Sequence, residues 1–253
     1  MPVHPVNRAL HANFFRWLEH GDAALSKRAH DDQQVKPYTV SGLRRDPNGA
    51  VGFRVTLLDD ALLPALQRGM KNAGTWVDAK EKEHPYWVDL LNSIYPCESA
   101  PDVLHLSYEQ LAQQAEVNAG KHARTRVRLR FDSPTSFRRS GMHYPLPDPA
   151  LVFASYCARW NAFAPEALHI APHWLEWLGK MVGISDLDLQ MSEVQLERDY
   201  KQIGVVGEVV YEVAGKSGLP DGSAQLQALA DYAQFCGTGH KTTQGMGQTR
   251  RVS

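Results

Sequence analysis

The sequence predicts an α+β chain of two similar halves, and three observations carry that prediction. The apolar period switches repeatedly between the 3.6 of a helix and the 2 of a strand. The switches follow nearly the same order in residues 1–118 as in residues 122–253. Between the halves lies "VNAGKH" (117–122), whose composition is that of a linker. The second half reads strand, helix, strand, strand, helix, strand, the split β-α-β unit of ferredoxin-like domains. The first half reads helix, strand, strand, helix, strand. This is the same unit without its first strand, since few residues precede Asn7.

Taken in order, "NRALHANFFRWLEH" (7–20) places Leu10, Phe14, Trp17 and Leu18 on one helical face, with Gly21 as its stop. Asp22 is placed to cap a second short helix, "AALSKRAH" (23–30), which "DDQQ" follows as a loop. "KPYTVSGL" (36–43) reads as extended, because Lys36 precedes a proline. In "GAVGFRVTLLDD" (49–60), Val51, Phe53, Val55 and Leu57 alternate as in a half-buried strand. "ALLPALQRGMKNAG" (61–74) is helical, residues 78–101 carry no clear pattern, and "DVLHLSYEQLAQQAE" (102–116) combines a short strand with a helix. The second half supplies strand 123–137, helix 148–163, strands 186–197 and 202–214, helix 222–235 and strand 248–252.

Composition narrows the function less than it narrows the fold. A formal charge of −1 over 253 residues favours neither a nucleic acid nor a membrane, so any polyanion site must be a local patch. Cys97, Cys157 and Cys236 form no C-x-x-C pair, which indicates neither a disulfide framework nor a zinc knuckle and fits a reducing cytoplasm. The N-terminal stretch lacks an apolar signal core, and no run of eighteen apolar residues occurs, so a soluble, unexported chain is expected.

Three stretches carry candidate chemistry. In "KHARTRVRLRF" the residues Arg124, Arg126, Arg128 and Arg130 alternate with Thr125, Val127, Leu129 and Phe131, so the guanidiniums share one strand face. Such a stripe is either a track for phosphates, which Arg138 and Arg139 would extend, or a solvated face paired with acidic neighbours. "FCGTGHKTTQGMGQ" (235–248) holds Gly237, Gly239, Gly245 and Gly247 around His240 and Lys241. Either it cradles an anion with backbone amides and Lys241, or it packs closely against another backbone. It is not a P-loop, since no helix follows it. Third, His30 ends a short helix beside Asp31 and Asp32, six residues before Lys36, and His11 follows core Leu10 on the first helix. An imidazole suits proton transfer near neutral pH, although packing and helix-end roles are the commoner fate of such residues. His169 and His173 have i, i+4 spacing, but Pro172 breaks the helical register a metal pair requires, so no metal site and no cofactor are expected.

Together, "RALHANFFRWL", "AHDDQQVKPYTVSGL", "RLRFDSPTSFRRSG", "LPDPALVFASYCARWNAF" and "CGTGHKTTQGMGQ" resemble the CRISPR-associated repeat-processing endoribonucleases of the RAMP superfamily. The resemblance implies two ferredoxin-like, RRM-related domains in tandem, the first catalytic (1–118) and the second RNA-binding (122–253). It implies a metal-independent cut in the repeat of the CRISPR precursor transcript, leaving a 2′,3′-cyclic phosphate and a 5′-OH. His30 is then the general acid or base, His11 its partner and Lys36 the charge stabiliser. Arg124, Arg126, Arg128, Arg130, Arg138, Arg139, His240 and Lys241 would contact RNA, and the glycine-rich loop would pack between the domains. A tyrosine used by some relatives on the first helix has no counterpart, because this chain offers only Phe14 and Phe15 there. The expected partner is repeat RNA; subunits of a CRISPR effector complex and a homodimer are also open. The alternative is a non-catalytic RAMP subunit that only binds the guide RNA. A placed imidazole is of no use to such a binder, which favours the nuclease.

Overall fold

The computed structural model describes residues 6–31, 35–45, 51–72, 105–119, 125–197, 200–215 and 218–252. The N-terminal part opens with α1 (Val6–Gly21) and α2 (Ala23–Asp31). The Asp22 carboxylate accepts from the Leu25 amide at 2.9 Å, which is the cap its position predicts. β1 (Tyr38–Val40) follows, then a hairpin of β2 (Arg44–Arg45) and β3 (Val51–Gly52), then β4 (Val55–Leu57) and α3 (Leu62–Asn72). β1 and β4 pair antiparallel. The strand expected over 49–60 is thus divided, its first part serving the hairpin and its second the β1 pair.

Leu10, Phe14, Trp17 and Leu18 of α1 are all buried, joined by Leu25, Tyr38, Val40, Leu62 and Leu66 in one small core. α1 crosses α3 at two glycines. A Cβ on Gly69 would lie 1.6 Å from the Trp17 carbonyl oxygen, so only a glycine permits this approach. Gly21, expected as the stop beyond the helix, is its last residue and meets α3 in the same way.

α4 (Tyr108–Ala119) packs on the C-terminal part. Its Leu111 and Ala115 join the larger core, and the Tyr108 hydroxyl donates to the Leu58 carbonyl at 2.8 Å. Residues 105–107 carry no strand, and 117–119, read as the start of a linker, form the last turn of α4.

The C-terminal part is the expected ferredoxin-like unit. β5 (Arg126–Thr135), α5 (Pro149–Phe163), β8 (Val182–Glu197), β9 (Tyr200–Val213), α7 (Gly222–Cys236) and β10 (Thr249–Val252) give a four-stranded antiparallel sheet in the order β10-β5-β9-β8. Period two works as read: Val127, Leu129 and Phe131 are buried under the helices. Two features were not anticipated. A hairpin of β6 (Phe137–Arg139) and β7 (Met142–Tyr144) follows the end of β5. A helix α6 (His173–Met181) buries Trp174, Trp177 and Leu178, and β8 leaves it directly at Val182, four residues earlier than expected. Cys157 and Cys236 are buried free thiols; Cys97 lies outside the described residues. No described helix is long and apolar enough to cross a membrane.

Candidate active site and RNA interface

The glycine-rich stretch is a clasp between the two parts. Many of its amides donate inside the protein. Thr238 donates to Gly247 O (2.8 Å), His240 to Ser136 O (2.8 Å), Gly245 to Val40 O (2.9 Å), Gly247 to Pro134 O (3.0 Å) and Gln248 to Ser133 Oγ (2.9 Å). On its other side the Val40 amide donates to Thr242 O at 3.2 Å, and Ser41 forms a parallel bridge to Gly245. "SPTSF" is therefore the rail on which the loop lies, and β1 is the edge it zips to. Close packing, one of the two readings of this stretch, is observed, and the amides it uses are donated to carbonyls and a serine hydroxyl within the protein. At Gly239 (φ +75°) a Cβ would stand 2.3 Å from Ser136 O, and at Gly245 (φ +87°) 2.5 Å from the Asn7 side chain of α1.

The clasp fixes β1, and β1 carries Tyr38 to the buried side of the first helix. Beside it, at the surface, His11, Phe15 and His30 meet. The Phe15 ring stands edge-on to both imidazoles, with centroids 5.0 Å from each. An open groove is lined by His11, Ala12, Phe15, Arg16, Glu19, His20 and His30. His30 is exposed at the end of α2. Lys36 Nζ donates to the carbonyls of His30 at 2.6 Å and Ala29 at 3.3 Å, satisfying acceptors that the helix end leaves open. His11 is half-buried, and its Nε2 lies 3.0 Å from the Tyr38 hydroxyl. Burial, then the charges of His30 and Lys36, lower the His11 pKa to about 4, so its imidazole is neutral at pH 7. The structure thus brings together all three residues singled out for chemistry. The sequence reading missed Tyr38, Arg16 and His20. Arg16 and His20 lie one helical turn apart on α1, a spacing that would have flagged them once His11 was taken as a site residue.

The arginine strand is built differently. Arg126 pairs with Glu212 at 3.2 Å, Arg128 with Glu208 at 3.2 Å and Asp186 at 3.5 Å, and Arg130 with Glu208 at 3.1 Å and Asp132 at 3.2 Å. Arg250, from β10, also reaches Asp132, at 3.0 Å. Acids from β5 itself (Asp132), from β9 (Glu208, Glu212) and from β8 (Asp186) fill the gaps of the stripe, the arrangement of a solvated, paired face. Arg124 lies outside the described residues.

A second basic group forms where the β6–β7 hairpin meets the clasp. Burial, then Arg138, Lys241 and His143, lower the His240 pKa to about 4. Arg138 and Arg139 are exposed, with the Arg139 guanidinium 5.7 Å from the centre of the Tyr144 ring. Lys241 adopts φ +58°, a conformation costly for a residue with a Cβ and more often found at functional positions. Among the described residues no group of three or more His, Cys, Asp or Glu side chains converges as a metal site would.

Two α+β units, one of complete ferredoxin-like topology, are joined by a glycine clasp and carry an imidazole groove, the architecture of a tandem ferredoxin-like protein. Residues 129–249 match the model of the family described as CRISPR-associated endoribonuclease Cas6. A CRISPR-associated endoribonuclease Cas6 from Mycobacterium tuberculosis is 27% identical over 153 residues, 60% of this chain and 47% of that protein. The chain therefore spans about half the length of this curated relative. One from Streptococcus thermophilus is 23% identical over 215 residues, 78% of this chain and 87% of that protein. Among solved structures, a Cas6 product complex superposes with a TM-score of 0.74 at 26% identity, covering 98% of this chain and 94% of that one.

Proposed function

We propose that the chain is an endoribonuclease that cleaves CRISPR repeat RNA within the precursor transcript, without a metal ion. The observation that carries this reading is the pairing of His11 and His30 around Phe15 in one open groove, with Lys36 fastened to the His30 carbonyl. RNA brings its own nucleophile, the 2′-OH beside the scissile phosphate. The protein needs only to align that oxygen with the phosphorus, move two protons and stabilise the phosphorane. Attack breaks the P–O5′ bond and leaves a 2′,3′-cyclic phosphate and a 5′-OH.

In this scheme His30, exposed at the rim, exchanges protons with the reacting oxygens. His11 is its partner and Lys36 stabilises charge with the N–H that the helix end does not use. The N-terminal unit (1–118) supplies the chemistry, and the C-terminal unit (122–253) holds the RNA. Arg138, Arg139 and Lys241 are the best-supported phosphate contacts there, since their group, unlike the β5 stripe, is built mainly of cations. Two solved relatives are described as a Cas6 product complex and a Cas6 substrate mimic complex, which fits a chain of this fold holding its substrate and product.

Incubating the purified chain with labelled repeat RNA in EDTA tests the proposal. Cleavage to a fragment ending in a cyclic phosphate is expected. A mobility shift without cleavage would instead make the chain a binding subunit.

A further inference from the structure

The groove leaves one chemical question that the Tyr38–His11 contact answers, namely which nitrogen of His11 carries the proton. Tyr38 is 1% exposed, with its ring stacked on Phe14 at 4.4 Å and edge-on to Phe15 at 5.4 Å. Its hydroxyl reaches His11 Nε2 at 3.0 Å. Burial drives the Tyr38 pKa up, so the phenol keeps its proton and is the donor wherever its partner is able to accept. His11 is able to, because a neutral imidazole has one accepting nitrogen.

We infer that Tyr38 is a positioning residue: by donating to His11 Nε2 it fixes the Nδ1–H tautomer and makes His11 a hydrogen-bond donor to the groove rather than a proton acceptor. The surroundings agree. The groups around His11 are Arg16, Glu19 and His20 on its own helix, His30 on α2, Lys36 on the following segment and Tyr38 on β1. His30 and Lys36 act with burial to keep the ring neutral at pH 7. A neutral ring held this way has no proton to give as an acid, and its basic lone pair is occupied. What it offers is an N–H aimed at developing negative charge, such as a phosphorane oxygen, which leaves proton exchange to His30.

The clasp enters this arrangement twice. It holds the β1 backbone through Val40 N to Thr242 O and Gly245 N to Val40 O, and its Thr243 side chain interacts with the Tyr38 hydroxyl. The C-terminal unit thereby sets the state of an imidazole in the N-terminal one.

The inference rests on His11 serving the proposed cleavage, but the tautomer is measurable without any substrate. Nitrogen-15 NMR of the full chain labelled at histidine, with His11 assigned by signal loss in His11→Gln, should show a protonated Nδ1 and an unprotonated Nε2 at pH 7. Tyr38→Phe keeps the ring on Phe14 and removes only the hydroxyl. It should mix the tautomers, raise the His11 midpoint from about 4 toward its ordinary value, and slow single-turnover cleavage roughly tenfold with repeat affinity unchanged. An Nε2–H tautomer in the wild type, or His11 signals and titration unaltered by Tyr38→Phe, would overturn the inference. A wild type that cleaves no repeat but loses its Nδ1–H tautomer in Tyr38→Phe would refute the cleavage reading and uphold this one.

Discussion

The arginine strand and the histidine groove are both basic features, and the protein treats them in opposite ways. On β5 every described guanidinium of the stripe finds a carboxylate, and the charges cancel across the sheet face. In the groove the imidazoles lie against Phe15, and Glu19 is the one acidic residue among those lining it. Exposed ion pairs contribute little to stability and hold their cations away from other partners. An imidazole packed edge-on to an aromatic ring needs no ion pair to be held in place, and in His11 Nε2 is the nitrogen engaged, by the Tyr38 hydroxyl. The residues most conspicuous as a pattern are thus already paired, and the scattered ones are those to which the proposed cleavage assigns chemistry.

The change that bears hardest on this contrast is His30→Ala. Cleavage of the cognate repeat should fall by about 10²–10⁴-fold, the usual worth of a positioned acid or base, while binding survives. Near wild-type cutting would remove His30 from the mechanism and leave the groove no better supported than the stripe.

Gly239→Val should come next in size. The new side chain meets a backbone carbonyl and not a movable side chain, at a φ that β-branched residues avoid. A loss on the order of 3 kcal/mol is expected, visible as a melting temperature roughly 6–12 °C lower. Gly245→Val, opposed by the Asn7 side chain, should lose less. Equal melting of both variants and the wild type would mean the loop is not a clasp.

Acid should also find the clasp. Folded His240 has its pKa lowered to about 4 from 6.5, so between those values the unfolded chain binds more protons. The stabilisation is complete above about pH 6.5 and is lost as pH falls toward 4. His240→Gln should flatten the pH dependence of unfolding free energy by roughly 1 kcal/mol across that window, well below the full shift because the half-exposed ring is screened by solvent. An unchanged slope would show that His240 is solvated.

The smallest effect belongs to the stripe. Arg126→Ala with Arg128→Ala should change stability by less than about 1 kcal/mol and leave the salt dependence of repeat binding nearly intact. A clearly flatter slope of log affinity against log salt would show that RNA displaces the carboxylates, restoring the phosphate track that the sequence also allows.

What the sequence made legible followed from local rules. The α1 face, the Asp22 cap, the alternation in β5 and the ferredoxin-like order of the second half all depend on residues a few positions apart. What it hid depends on partners far along the chain. Glu208 and Glu212 neutralise the stripe from a strand about 80 residues away, and Thr242 meets Val40 across some 200 residues. Tyr38 looked like an ordinary strand residue, because its contact with His11 exists only once β1 is docked behind α1. The β6–β7 hairpin was missed for a different reason: three-residue strands give periodicity too little length to register.

In the proposed reaction this groove moves protons for an attack made by the RNA itself. The most direct test is single-turnover cleavage, in EDTA, of a cognate repeat carrying one deoxyribose at the nucleotide before the cut. The complex should form with unchanged affinity and no cleavage should occur, beside an all-ribose control that is cut to a cyclic phosphate. Cleavage of the deoxy substrate, or an all-ribose control cut only when a divalent metal is restored, would contradict it.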